Sequence, residues 1–224
     1  MKRKLLIAAL MFLAGSVIAA DKIFYANGPS TKKAIALTFD DGPGPWTERV
    51  LAMLKENNVK ATFFEEGQLV KFRGAIVQKV LDGGHEVGSH TYDHPDFWHY
   101  KKPGAKEYLI KEIEQTEAAF AKINYKPVLL RMPYGYNKPW CREVVASKGY
   151  TMINWSFGTD WNKIPQEDLA KKYIQHIAPG AILLMHDGGK DRSRTIFAAQ
   201  AVIIEARKRG YEILTISQLL GLTK

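Results

Sequence analysis

Short apolar, β-branched runs alternate with segments of helical periodicity along almost the whole of this chain, and no other feature narrows its fold as far. Strand-length runs occupy residues 34–39, 61–64, 85–88, 127–131, 150–155, 181–185 and 211–216. Helical patterns lie between them at residues 46–56, 69–81, 105–121, 138–147, 166–177 and 194–209. Strands joined by crossover helices run parallel, and runs that are apolar throughout are buried on both faces. Seven such strands suit a (β/α) barrel, although an open doubly wound sheet would show the same alternation. In either architecture ligands bind at the C-terminal ends of the strands. The reactive side chains fall there: Asp40 and Asp41 end the first run, His90 and His94 follow the third, Arg131 closes the fourth, Asp160 follows the fifth and His186 ends the sixth.

The chain opens with Met1-Lys2-Arg3-Lys4, an apolar stretch to Ala14 and the small-residue exit Gly15-Ser16-Val17-Ile18-Ala19-Ala20. A basic head, a short apolar core and small residues at Val17 and Ala19 predict a signal peptide over residues 1–19, with cleavage after Ala19. The apolar stretch falls short of the roughly 20 residues a bilayer span needs, and no second long apolar run follows, so no stable membrane insertion is expected. Residues 20–224 then form a single domain that is exported, to the periplasm or beyond. Losing Lys2, Arg3 and Lys4 takes the formal charge from +9 to +6. That basic balance fits solubility or attraction to an anionic envelope polymer, and export argues against nucleic acid as the partner. Cys141 is the only cysteine, so no internal disulfide can form.

His90 and His94 lie four residues apart, so one turn of helix or a tight loop would aim both imidazoles at one point, which suits a divalent metal of the zinc type. Alone, such a pair is better explained by two surface histidines. Thr38-Phe39-Asp40-Asp41-Gly42-Pro43 changes that balance, because it sets two adjacent acids between an apolar strand and a turn. One aspartate can ligate a cation while its neighbour takes a proton from a water that the cation has made acidic. His186, emerging from the apolar run Leu183-Leu184-Met185, could protonate a leaving amine, or could be a satisfied core histidine.

These residues, taken in order, resemble the NodB-type polysaccharide deacetylases, carbohydrate esterase family four. The resemblance runs from about Lys33 to Leu220. The first motif, T-F-D-D-G, is complete at residues 38–42, and the second, H-[ST]-x-x-H, at residues 90–94. The third, R-x-P-Y-G, stands at residues 131–135 and the fifth, L-x-H, at residues 184–186. The resemblance implies a deformed (β/α) barrel of about seven parallel strands and metal-assisted amide hydrolysis. It assigns Asp40 as general base and Asp41, His90 and His94 as metal ligands. It further implies that Arg131 orients Asp40, that the Tyr134 backbone N–H lies near the developing oxyanion, and that Leu184 and Trp161 wall the acetyl methyl pocket. The expected cofactor is a divalent metal, zinc first, with cobalt, manganese or nickel also suited to the ligand set.

The fourth motif departs from the family's D-x-x-D-W. Its first half is missing, and Asp160-Trp161 is what survives. Asp160 is therefore the candidate partner that would keep His186 protonated. Aromatic residues crowd the motifs, and Phe97, Trp98 and Tyr100 suit either a sugar groove or core packing. The implied substrate is an N-acetylglucosamine polysaccharide of the peptidoglycan or chitin type, taken by a monomeric enzyme. An O-acetyl esterase acting on acetylated xylan, or a glycan-binding domain without turnover, remains open.

Overall fold

The computed structural model describes residues 23–222; the predicted signal peptide, residues 1–19, lies outside them. In chain order the elements are β1 (Phe24–Tyr25), β2 (Ala34–Gly42), α1 (Thr47–Glu56), β3 (Thr62–Glu65), α2 (Gly67–Asp82), β4 (Glu86–Ser89), α3 (Ala105–Ala121) and β5 (Leu129–Leu130). A single 3-10 turn (Pro133–Gly135) follows, then α4 (Pro139–Ser147), β6 (Thr151–Ile153), β7 (Phe157–Gly158), α5 (Gln166–Gln175), β8 (Ile182–His186), α6 (Ser193–Lys208), β9 (Glu212–Ile213) and α7 (Ile216–Leu220). Every pairing is parallel, in the order β1-β6-β5-β4-β3-β2-β8-β7, with β9 added to the start of β2. The result is the expected deformed barrel, curled into a half-barrel.

Side chains alternate across β2, and the alternation sorts the core. Ile35, Leu37 and Phe39 join the larger cluster with Phe63, Leu183 and Met185, against helices including α1, α5 and α6. Ala34 and Ala36 face the other way, into a smaller cluster with Phe64, Leu129, Ile153 and Ile182. Small residues there leave room for α7, whose Ile216 and Leu219 fill the space. The same face continues as Thr38 and Asp40, so the inside of the curl turns from apolar to polar on approaching the C-terminal rim. A third cluster, built on Leu109, Ile113, Met132, Val145 and Met152, packs α3 and α4 against the β5–β6 side.

The sequence run 211–216 pairs over Glu212–Ile213 only. Thr215 then caps α7, its side chain accepting from the Gln218 backbone N–H while the Gln218 side chain returns to the Thr215 N–H. The two-residue strands β1 and β7 have no pattern of their own and exist because β6 and β8 offer them free edges. Among the described residues no helix is long and apolar enough to cross a membrane.

Candidate functional site

Register delivers the site. Asp40 is paired with His186 on one side and with Phe64 on the other, so two residues 146 apart in sequence share one level of the rim. His90 follows β4, whose last residue, Ser89, pairs with Leu130, directly before Arg131. The segment carrying His90 and His94 is a loop rather than a helical turn, with Thr91 at φ +65° and His94 at φ +60°. It is strapped from two sides. The Thr91 and Tyr92 carbonyls accept from the first N–H groups of α2, and the Glu112 carboxylate of α3 accepts from the Tyr92 and Asp93 N–H groups at 2.9 and 3.0 Å. Asp41, at φ +69°, is backed by Gly188, where a Cβ would lie 1.7 Å from the Asp41 carbonyl oxygen, so only glycine lets the two loops meet.

Asp41 Oδ1 lies 3.4 Å from His90 Nε2 and 3.5 Å from His94 Nε2. It is buried and has no hydrogen-bond partner among the described residues. Four-coordinate ligation at about 2.1 Å places ligand atoms about 3.4 Å apart, so these separations match the edges of a zinc-type tetrahedron. His90 Nδ1 donates to the Arg131 carbonyl at 2.8 Å, which leaves the Nε2 lone pair facing inward, as a metal ligand requires. One carboxylate and two imidazoles with an orphaned oxygen between them fit a divalent cation.

Asp40 takes no part in that cluster's inner edge. Its Oδ1 accepts from Arg131 Nη1 at 2.6 Å, and its Oδ2 lies 3.7 Å from His90 Nε2. Arg131 is fully buried and is held by three further donations, Nη1 also to Thr38 Oγ1, Nε to the Ile153 carbonyl and Nη2 to the Asn154 carbonyl, with Phe64 under the guanidinium at 4.1 Å. Across the site His186 Nδ1 donates to Asp160 Oδ1 at 2.7 Å, while Asp160 Oδ2 accepts from the His186 backbone N–H and from Thr195. The aspartate surviving from the incomplete motif is thus the one in contact with His186.

Charge follows geometry. Burial raises the Asp41 carboxyl, but the surrounding imidazoles, His90 first, then His186 and His94, hold it well below the usual range. Burial lowers His186, yet the adjoining Asp160 carboxylate, with Asp41 and Asp40 behind it, outweighs burial and raises the ring. For His94 burial and the neighbouring His90 both lower it, which favours the neutral form that binds metal.

Asp40, Asp41, His90, His94, Tyr134, Trp161, Leu184 and His186 line one cavity of about 630 Å³. The sequence did not mark out two further lining residues, Trp155 and Arg192. Arg192 reaches within 4.0 Å of both Asp41 and Asp160 from the loop after β8, a position no local motif signals. Nor did it reveal Glu112, the buried strap of the histidine loop, which reads locally as one more acid of an amphipathic helix. Of the three aromatics past the second motif, Phe97 is buried among Tyr100, Tyr108, Tyr136 and Trp140 and is packing, whereas Trp98 is 43% exposed.

The polysaccharide deacetylase family profile matches residues 27–153. A peptidoglycan-N-acetylglucosamine deacetylase of Bacillus cereus is 36% identical over 196 residues, 86% of this chain and 90% of that protein. Among solved structures, a peptidoglycan N-acetylglucosamine deacetylase complexed with a naphthyl-substituted N-hydroxybenzamide superposes with a TM-score of 0.83 at 28% identity, covering 91% of this chain and 95% of the other. A CE4 family pseudoenzyme from Bacillus anthracis superposes with a TM-score of 0.80 at 28% identity, covering 89% and 69%. Sequence match, curled parallel sheet and rim geometry agree: this chain belongs to the NodB-type polysaccharide deacetylases, carbohydrate esterase family four.

Proposed function

We propose that this protein is a metal-dependent deacetylase that hydrolyses the N-acetyl groups of N-acetylglucosamine residues in an envelope glycan of the peptidoglycan type, releasing acetate. The observation that carries this reading is the pairing of an orphaned Asp41 oxygen, set between two imidazole nitrogens, with a separate carboxylate, Asp40, facing the same cavity. A divalent ion held by Asp41, His90 and His94 would supply Lewis acidity to the acetyl carbonyl and acidify the attacking water. Asp40 is the base that takes the water's proton, and Arg131 fixes its orientation through Oδ1 while leaving Oδ2 toward the site. The Tyr134 N–H faces the carbonyl oxygen as negative charge grows there. His186, kept protonated by Asp160, gives its Nε2 proton to the departing amine. Leu184 and Trp161 bound the space for the acetyl methyl.

Zinc is the proposed ion, on the strength of the tetrahedral spacing. The peptidoglycan substrate of the Bacillus cereus relative and the basic balance of the chain favour peptidoglycan over a neutral glycan, and with residues 1–19 as a signal peptide the enzyme would act outside the cytoplasm. The test is acetate release by the zinc-loaded protein from peptidoglycan, chitooligosaccharide and acetylxylan assayed together. Peptidoglycan should be the best substrate. Release from acetylxylan alone would make the protein an ester hydrolase, and release from none would make it a binding domain.

A further inference from the structure

Beyond the cavity wall the indole of Trp98 is 43% exposed and belongs to none of the three core clusters. It is nonetheless held rigidly. Its Nε1–H donates to the Tyr134 carbonyl at 3.1 Å, tying the ring to a residue that lines the cavity. The edge of Tyr136 meets it at 4.9 Å and 73°, and the Lys138 ammonium stands 5.5 Å from its centroid. Below it, Asp96 Oδ1 accepts from the Trp98 and His99 N–H groups at 2.9 and 3.3 Å, fixing the turn, while Phe97 anchors the segment in the aromatic cluster. Tyr134, 58% exposed, packs its ring 4.8 Å from that of His94. A run of contacts thus leads from His94, through the Tyr134 ring and then the Tyr134 carbonyl, to Trp98.

From this arrangement we propose that Trp98 is a specificity-determining residue: a pre-positioned stacking platform for the sugar next to the one being deacetylated, which selects glycan chains over monosaccharides. The inference rests on the deacetylase reading for the placement of the reacting sugar at Asp40 and His186. Pyranose rings present C–H faces that pack on indole, and a ring already immobilised by its neighbours loses little entropy on binding. A single N-acetylglucosamine filling the cavity gains nothing from Trp98, because Trp98 lies outside the lining residues; a chain extending past Tyr134 does.

The experiment is calorimetric titration of the full zinc-loaded chain with N-acetylglucosamine and with its trisaccharide, alongside acetate release from each, for the wild type, Trp98→Ala and Trp98→Phe. The trisaccharide-to-monosaccharide affinity ratio should fall about fivefold to tenfold in Trp98→Ala, the size of one aromatic stack. Trp98→Phe, which keeps a ring but loses the anchoring N–H, should fall between. An unchanged ratio in Trp98→Ala overturns the platform. A ratio that shifts as expected with no acetate released from either saccharide upholds the platform and counts against the deacetylase reading instead.

Discussion

The two rims of the sheet use the same residue types to opposite ends. At the N-terminal rim, where helices return to strands, two asparagines take up positive φ, Asn58 at +48° after α1 and Asn124 at +53° after α3, and asparagine bears that conformation readily. At the C-terminal rim Asp41, Thr91, His94 and Tyr134 adopt it, and Thr91 is β-branched and fully buried. Histidines divide the same way. His85, at the N-terminal rim, accepts the Ala61 N–H at 3.2 Å and meets the Phe63 ring edge-on at 5.5 Å, a contented structural residue. His90, His94 and His186 instead turn their Nε2 atoms toward one point. One rim relaxes into local preferences, and the other is forced away from them by its surroundings, as sites for chemistry commonly are.

The largest expected effect lies at the strained rim. Asp40→Asn should lower kcat for acetate release about 100- to 10,000-fold while leaving bound metal unchanged, the loss that removing a general base produces. If metal were lost as well, Asp40 and Asp41 would be one ligand cluster and the division of labour between them would fail. Arg131→Met should lower stability to urea by about 3–5 kcal/mol, because it leaves the Asp40 carboxylate buried without its cation.

At the relaxed rim the effects are on stability alone. Burial, then Lys60, lowers His85 from 6.5 to about 4. Between those values the unfolded chain binds the proton and the folded one does not, so stability rises with pH through that window and is lost as pH falls through it. Wild-type protein should therefore lose up to about 3 kcal/mol more than His85→Asn between pH 6.5 and pH 4 in urea melts. Equal losses would mean that His85 titrates normally. Smallest of all, Asn58→Val should cost about 1–2 kcal/mol, from a β-branched side chain in a left-handed conformation, with activity per folded molecule unchanged.

The contrast between the rims also explains what could be read without coordinates. β2 and β8 were visible because their residues are buried on both faces and carry continuous apolar runs, and the acids and histidine at their ends marked the rim. β1 and β7 were invisible, since two residues hold no period and the pairing that makes them strands is supplied by distant neighbours. The capping box at Thr215 and Gln218 was in the sequence, but the apolar run across Ile213, Leu214 and Ile216 read as strand. Asp160 was named only as a substitute, because its contact with His186 spans 26 residues and depends on the β7–β8 pairing. Glu112 and Arg192 reach the site through tertiary placement alone, and sequence spacing holds no trace of either.

On the proposed reading, Asp41, His90 and His94 hold one divalent cation beside a carboxylate, Asp40, that does not ligate it. Elemental analysis of protein dialysed against limiting zinc tests it directly, for the wild type, Asp40→Asn, His90→Ala and His94→Ala. The wild type and Asp40→Asn should each hold one zinc per chain, and both alanine variants should lose it. Zinc retained in His90→Ala and His94→Ala would contradict it.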